Sequence, residues 1–404
     1  MKQLSERELV PSTYLAEIRL LYRLAMLVFL VTVGIGLLNG LDVVEFDRAT
    51  LLTHVHAGTL GWITLSVFAF TLWLWRAEAT RLGRASAVLA AVSVPAYVVA
   101  FWVGNALVRA VTGMAVLVAG YGFAAYSILA YRSTARTSPR LATVAALVTL
   151  AIGSTIGVLL QVQRAADRSL LPAEAIGGHV GAQVVGYLVL MGMALAEWRL
   201  LPDAPLTRPA RVQVGLLFAG GLLTSVGALT SSEVLLGVFI PLEIAALVIF
   251  VVRLAPRLRG VGWLERGSER HFGLIVPFLV ANVILLVVLI AGVVSGRYAD
   301  FGLIPPWLVF AFDHAMFIGV MTNGLIGLGM VLTSDRPQVW RRADDLAFWG
   351  INVGLLGFVI GLLVQSVALK RVSAPLMGAG ILVALLALSM RLQRSGAPAP
   401  RPAT

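Results

Sequence analysis

Apolar runs of about 20 residues recur along the whole chain, broken by short polar stretches rich in Arg, Pro, Asp and Ser. At a rise of about 1.5 Å per residue, one such run as α-helix crosses a hydrocarbon core of ~30 Å. The runs fall at residues 20–40, 50–75, 85–104, 108–131, 141–162, 175–198, 209–229, 233–253, 272–296, 304–332, 346–368 and 374–392. None is the short alternating segment of a transmembrane β-strand. The pattern predicts an all-α polytopic membrane protein of about twelve transmembrane helices. The polar breaks are too short to separate two domains. The expected organisation is a cytoplasmic N-terminal segment over 1–19, one twelve-helix membrane domain over 20–393, and a disordered cytoplasmic tail over 394–404 with Pro398, Pro400 and Pro402. Met1 to Arg23 is polar and long for a signal-peptide start, and nothing like a cleavage site follows the first apolar run. That run is read as a retained helix.

Composition sharpens this picture. The 404 residues are 59% hydrophobic and 13% charged, against roughly a quarter charged in soluble domains. The net charge of +11 suggests nucleic acid until its placement is considered. With the N-terminus inside, 24 of the 31 Lys and Arg lie on the inner side. The outer seven are Arg48, Arg109, Arg164, Arg168, Arg297, Lys370 and Arg371. By the positive-inside rule both termini are cytoplasmic, in the inner (plasma) membrane, and no nucleic-acid partner is expected. The absence of cysteine removes disulfides, thiolate metal sites and covalent haem attachment.

The polar residues inside the runs carry the candidate chemistry. Of five histidines, His54, His56, His179 and His314 sit in the outer portions of the second, sixth and tenth runs. Ionisable side chains are costly in lipid and mark function by default. Their surroundings are related. His54 and His179 both begin His-Val-x-Ala, with Gly seven residues on and an aromatic next. His314-Ala315 with Gly319 matches His56-Ala57 with Gly61. Each step of the repeat is four helices, which predicts three four-helix arcs about a pseudo-threefold axis. His54 and His56, two positions apart, face about 200° apart on a helix, so one helix can serve two pockets, or one pocket and one hydrogen-bond network. A single intramembrane histidine is often only an interhelical hydrogen-bonder, but three helices with related motifs at one depth point to metal or haem ligation. His271, beside Arg270 at the inner end of the ninth run, reads as solvated. Asp313 is a candidate to orient a ring or to face a polar cleft, Glu197 and Glu243 to relay protons or to make structural hydrogen bonds, and Gln161, Gln183, Asn282, Asn323 and Gln365 to line a cavity or bond helices.

The run Thr53-His54-Val55-His56-Ala57-Gly58-Thr59-Leu60-Gly61-Trp62 resembles the His-Val-His-x-Gly-x-Leu-Gly-Trp stretch of cbb3-type haem–copper oxidase catalytic subunits. That superfamily includes nitric oxide reductases. The His-Ala-x-x-x-Gly motifs also resemble those of NnrS-type haem–copper membrane proteins linked to nitric oxide stress. The likeness is specific in residues over the second run and topological elsewhere. It implies haem b and, for a complete site, copper. It also implies a pair of basic residues between the last two helices holding haem propionates, here Lys370-Arg371. The departures are plain. His-x-His sits on the second run where the family has it on the tenth, the seventh run has no histidine, and four intramembrane histidines stand where six are needed. A three-imidazole copper site cannot be kept by His179 alone.

On this basis His314 and one of His54 or His56 are expected to ligate haem b, with His179 on a second haem, a metal ion or a diatomic ligand. Three functions remain open. One is a haem-binding membrane protein in respiratory redox chemistry or in response to O2 or NO. Another is a quinol- or cytochrome-linked oxidase or nitric oxide reductase with an incomplete copper site. The third is a proton-coupled transporter, for which a six-helix repeat would be expected.

Overall fold

A computed structural model describes residues 13–75, 80–202, 204–298, 303–336, 340 and 342–393. The expected tail over 394–404 and the first twelve residues of the N-terminal segment lie outside them. Twelve helices are long and apolar enough to cross a membrane. They are α1 (Leu15–Gly40), α2 (Arg48–Trp75), α3 (Arg81–Val103), α4 (Ala106–Ser133), α5 (Ser138–Ala166) and α6 (Ala175–Leu200). The second half comprises α7 (Arg208–Leu229), α8 (Glu233–Leu258), α9 (Glu269–Val293), α10 (Pro306–Leu332), α11 (Ala343–Leu363) and α12 (Val367–Gln393). The protein is an all-α, multi-pass membrane protein, and an even number of crossings puts both ends of the described chain on one side.

Burial separates the helices into two kinds. The apolar windows of α2, α6 and α10 are 83, 83 and 78% buried, and no other exceeds 56%. At the centre α10 touches both α2 and α6, and α6 reaches α2 through the Tyr187–Thr64 hydrogen bond. The outer helices turn residues such as Leu27, Val92, Trp102, Val118 and Val248 outward, which in water would be an aggregation surface and in a bilayer is a solvent match.

Each central helix widens into a π-helical segment directly after its histidine motif, over Ala57–Thr64, Ala182–Leu188 and Ala315–Thr322. A glycine in each segment meets the helix at the start of its own four-helix group. Gly61 packs on Val28 of α1, Gly186 on Thr149 of α5 and Gly319 on Phe278 of α9. A Cβ at Gly61 or Gly319 would come closer than 3.0 Å to its neighbour, so those approaches require glycine, while one at Gly186 would stand 3.0 Å from Thr149 and needs a shift of a few tenths of an ångström. The four-helix period is therefore present in packing as well as in sequence.

One boundary differs from expectation in a way that matters. Lys370 and Arg371 are not in a loop but in the first turns of α12. The chain turns earlier, at Val364–Ser366, where Gln365 takes a φ of 54° and the Ser366 hydroxyl accepts from Leu369 N–H at 3.3 Å. Hydropathy places helix ends by apolar content, whereas a side-chain cap sets this one.

Candidate functional site

His54 and His314 line one pocket, formed by α1, α2, α10, α11 and α12. The cavity volume is about 180 Å³. The His54 Nδ1–H donates to the carbonyl of Thr32 on α1 at 2.9 Å, and the ring lies over Gly36, one turn further along α1. The His314 Nδ1–H donates to the carbonyl of Phe310 in its own helix at 2.8 Å, with its ring 4.9 Å from that of Phe358 on α11. A carbonyl only accepts, so each neutral ring carries its proton on Nδ1 and keeps a bare lone pair on Nε2. Neither Nε2 has a hydrogen-bond partner among the described residues. Phe29 and Trp62, stacked at 4.8 Å, form part of the apolar wall.

His56 and His179 lie outside this pocket. The His56 Nδ1–H donates to Leu52 O at 2.7 Å, and its ring stacks on Phe101 of α3 at 3.7 Å and 14°. The His179 Nδ1–H donates to Gly153 O on α5 at 2.7 Å, and its ring lies over Gly157. His56 is within electrostatic reach of His179 and of Arg109. The four histidines thus fall into two neighbourhoods on opposite faces of α2. No group of three or more His, Asp or Glu placed to hold a metal ion occurs among the described residues.

His271 is not solvated: it is 0% exposed, bonded through Nδ1 to Asn323 Oδ1 at 3.0 Å, and set edge-on to Phe348. Arg270 beside it pairs with Asp345, so the charge at this helix end is neutralised and the imidazole turns inward. Asp313 lines the pocket but makes no hydrogen bond to His314, whose Nδ1 is already engaged. Glu197 is held by Arg253 at 2.6 Å and by Gln213 at 2.9 Å, in an ion pair that ties α6, α7 and α8 together. Glu243 is buried and neither carboxyl oxygen has a partner. Asn282 donates to Phe312 O, Gln183 to Ser154 Oγ, and Asn323 to Asn352; the Gln161 Oε1 has no partner.

Lys370 and Arg371 both pair with Asp42, at 2.8 and 3.5 Å. Their hydrogen bonds and charge hold the Asp42 carboxyl below the usual carboxylate range. Lys370 lies one turn before Ala374, a residue of the pocket wall, so this cluster stands at the pocket's outer rim.

The ring-facing glycines and acceptor carbonyls have no signature that the motif spacing picks out, nor do Phe101, which stacks on His56, and Phe358, which lies tilted against His314. A signal existed: Thr32/Gly36 and Gly153/Gly157 are small-x-x-x-small pairs at matching places in the first and fifth helices. No protein-family model matches this chain, and no curated protein is significantly similar to it.

Proposed function

We propose that this protein binds a b-type haem between His54 and His314 and serves respiratory redox chemistry in the plasma membrane. One observation carries the reading. Two imidazoles from helices far apart in sequence line one largely apolar hollow, each with Nδ1 tied to a carbonyl and Nε2 free. Fixing the tautomer through Nδ1 is how a protein presents Nε2 to a metal, and two imidazoles are the ligand set of a low-spin haem.

The donor set fits haem better than a bare metal ion. Two nitrogens leave a copper or zinc ion short of protein ligands, whereas a porphyrin supplies four donors and needs two more. Haem supplies one-electron chemistry when bound. This chain's part is to fix the two rings, exclude water with Phe29, Trp62, Phe317 and Phe358, and set cations at the rim for the propionates. Lys370 and Arg371 would do the last. Held by His54 and His314, a haem would supply electron carriage there, with a quinol or cytochrome as donor. Binding of O2 or NO would require one imidazole to leave. The four-helix period speaks against a transporter built from two six-helix halves.

Membranes containing the protein should be red, and the detergent-purified protein should give a reduced α-band and a pyridine haemochrome spectrum. Replacing His54 or His314 by Ala should remove that centre's bands. Haem-replete protein with no Soret absorbance would end the proposal.

A further inference from the structure

The two histidines outside the α2–α10 pocket repeat its construction. His54 and His179 each stand three residues before a π-helical segment. Each donates Nδ1–H to a carbonyl of the preceding helix, Thr32 or Gly153. Each ring lies over the glycine four residues beyond that carbonyl, Gly36 or Gly157. His314 and His56 hold a second kind of position, immediately before a π-helical segment. Each donates to the carbonyl four residues back in its own helix, Phe310 or Leu52. Each sets its ring against a phenylalanine, Phe358 of α11 or Phe101 of α3.

Eight residues beyond each histidine the correspondence continues. Trp62, from His54, donates to the hydroxyl of Thr322, from His314, at 3.0 Å. Tyr187, from His179, donates to that of Thr64, from His56, at 3.3 Å. A turn that carries α10 onto α2 and α2 onto α6 therefore carries the pair His314/His54 onto the pair His56/His179.

The rim repeats as well. Arg109 is the fourth residue of α4, as Lys370 is the fourth of α12. Arg109 is only 7% exposed. Its guanidinium lies 4.7 Å from the Phe101 ring on which His56 stacks, bonded to the carbonyls of Ala100 and Phe101. It has no carboxylate partner among the described residues. Gly113 of α4 packs on Tyr97 beside His56. Two turns on, along the same face, buried Gly120 has no atom within 4 Å of where a Cβ would stand.

The third turn of the symmetry supplies a contrast. There α6 offers Gly181, packed on Thr224 of α7, and α10 offers buried Phe312. The later aromatic and threonine are Val320 and Val189. Both imidazoles, the aromatic and the threonine are absent together. The features come and go as sets, as ligands of one bound group would, and not singly, as isolated helix-bonding histidines would.

We propose that His56 and His179 form a second bis-imidazole site, quasi-equivalent to the first, and that the chain binds two haems on opposite faces of α2. The inference rests on the haem reading of the His54/His314 pair. Arg109 is the cation available to a carboxylate of the second group.

The test is the haem-to-chain ratio of full-length, haem-saturated protein in detergent, from pyridine haemochrome and quantitative amino-acid analysis. A redox titration of the α-bands accompanies it. The expected ratio is two, with two one-electron waves. His56→Ala and His179→Ala should each halve it and keep the wave belonging to His54/His314; the surviving haem reports that the variant has folded. His179→Gly with added imidazole should regain the second haem, which a misfolded chain would not. A ratio of one that vanishes in His54→Ala or His314→Ala, and is unchanged in His56→Ala and His179→Ala, removes the second site and leaves the first standing. A ratio of two unaffected by His56→Ala and His179→Ala also overturns it. A ratio of zero removes both readings.

Discussion

At the scale of single residues, the candidate sites depend on glycine as much as on histidine. A Cβ at Gly157 would stand 2.7 Å from His179 Cε1, and one at Gly36 would stand 3.0 Å from His54 Cε1. The first is beyond what a packed ring tolerates, while the second needs a shift of a few tenths of an ångström. Gly157→Ala should therefore displace the His179 ring and lose the bands that His179→Ala loses. Gly36→Ala should keep its haem and only move its midpoint potential. Optical redox titration of the two variants distinguishes these outcomes, and unchanged spectra in both would show that neither ring is held where a ligand must be. The histidines themselves were legible in the sequence, because an ionisable residue inside an apolar run is conspicuous. Their acceptor carbonyls were not, since a backbone carbonyl has no side-chain signature.

At the scale of elements, two features organise the bundle. One is the set of π-helical segments on α2, α6 and α10, of a kind found mostly at functional sites. Their location next to the histidine motifs is invisible to hydropathy, because apolar periodicity over two turns does not separate an α from a π winding. In two of them a threonine hydroxyl donates to the carbonyl five residues back, Thr64 to Thr59 and Thr322 to Phe317, and the same hydroxyls receive Tyr187 and Trp62. The other feature is the buried cluster of Glu197 on α6, Gln213 on α7 and Arg253 on α8. Removing one partner of a buried pair strands the other charge, at a cost of about 3–5 kcal/mol. Glu197→Ala should lower thermal stability in detergent accordingly, while Glu197→Ala/Arg253→Met should recover much of the loss. An equally unstable double variant would mean that the pair is not what ties these helices.

At the scale of the whole molecule, the distribution of basic residues over twelve crossings predicts an orientation that a cysteine-free chain makes easy to test. Ser169 and Ala135 are both exposed, in the turns after α5 and α4. Ser169→Cys in intact cells should react with a membrane-impermeant maleimide, and Ala135→Cys should react only after permeabilisation. The reverse pattern would turn the protein over and place the histidine layer on the cytoplasmic side. All twelve spans were foreseeable with ends close to those observed. The largest functional difference was the turn between α11 and α12, where a serine cap and a left-handed Gln365 overrode apolar content and drew Lys370 and Arg371 into the helix.

Contiguous sequence was enough to determine that this chain crosses a membrane twelve times, repeats itself every four helices, and carries four histidines within three of the repeats' helices. Hydrophobicity and motif spacing are local properties that survive without knowledge of any neighbour. Which histidine meets which was decided only in three dimensions. That depends on the rotation of each helix about its axis and on which helices become adjacent, so His54 joins His314 in one pocket while His56 turns to the opposite side of α2. The burial of His271 has the same origin: its charged neighbour found Asp345, 75 positions away, and no stretch around residue 271 contains that partner.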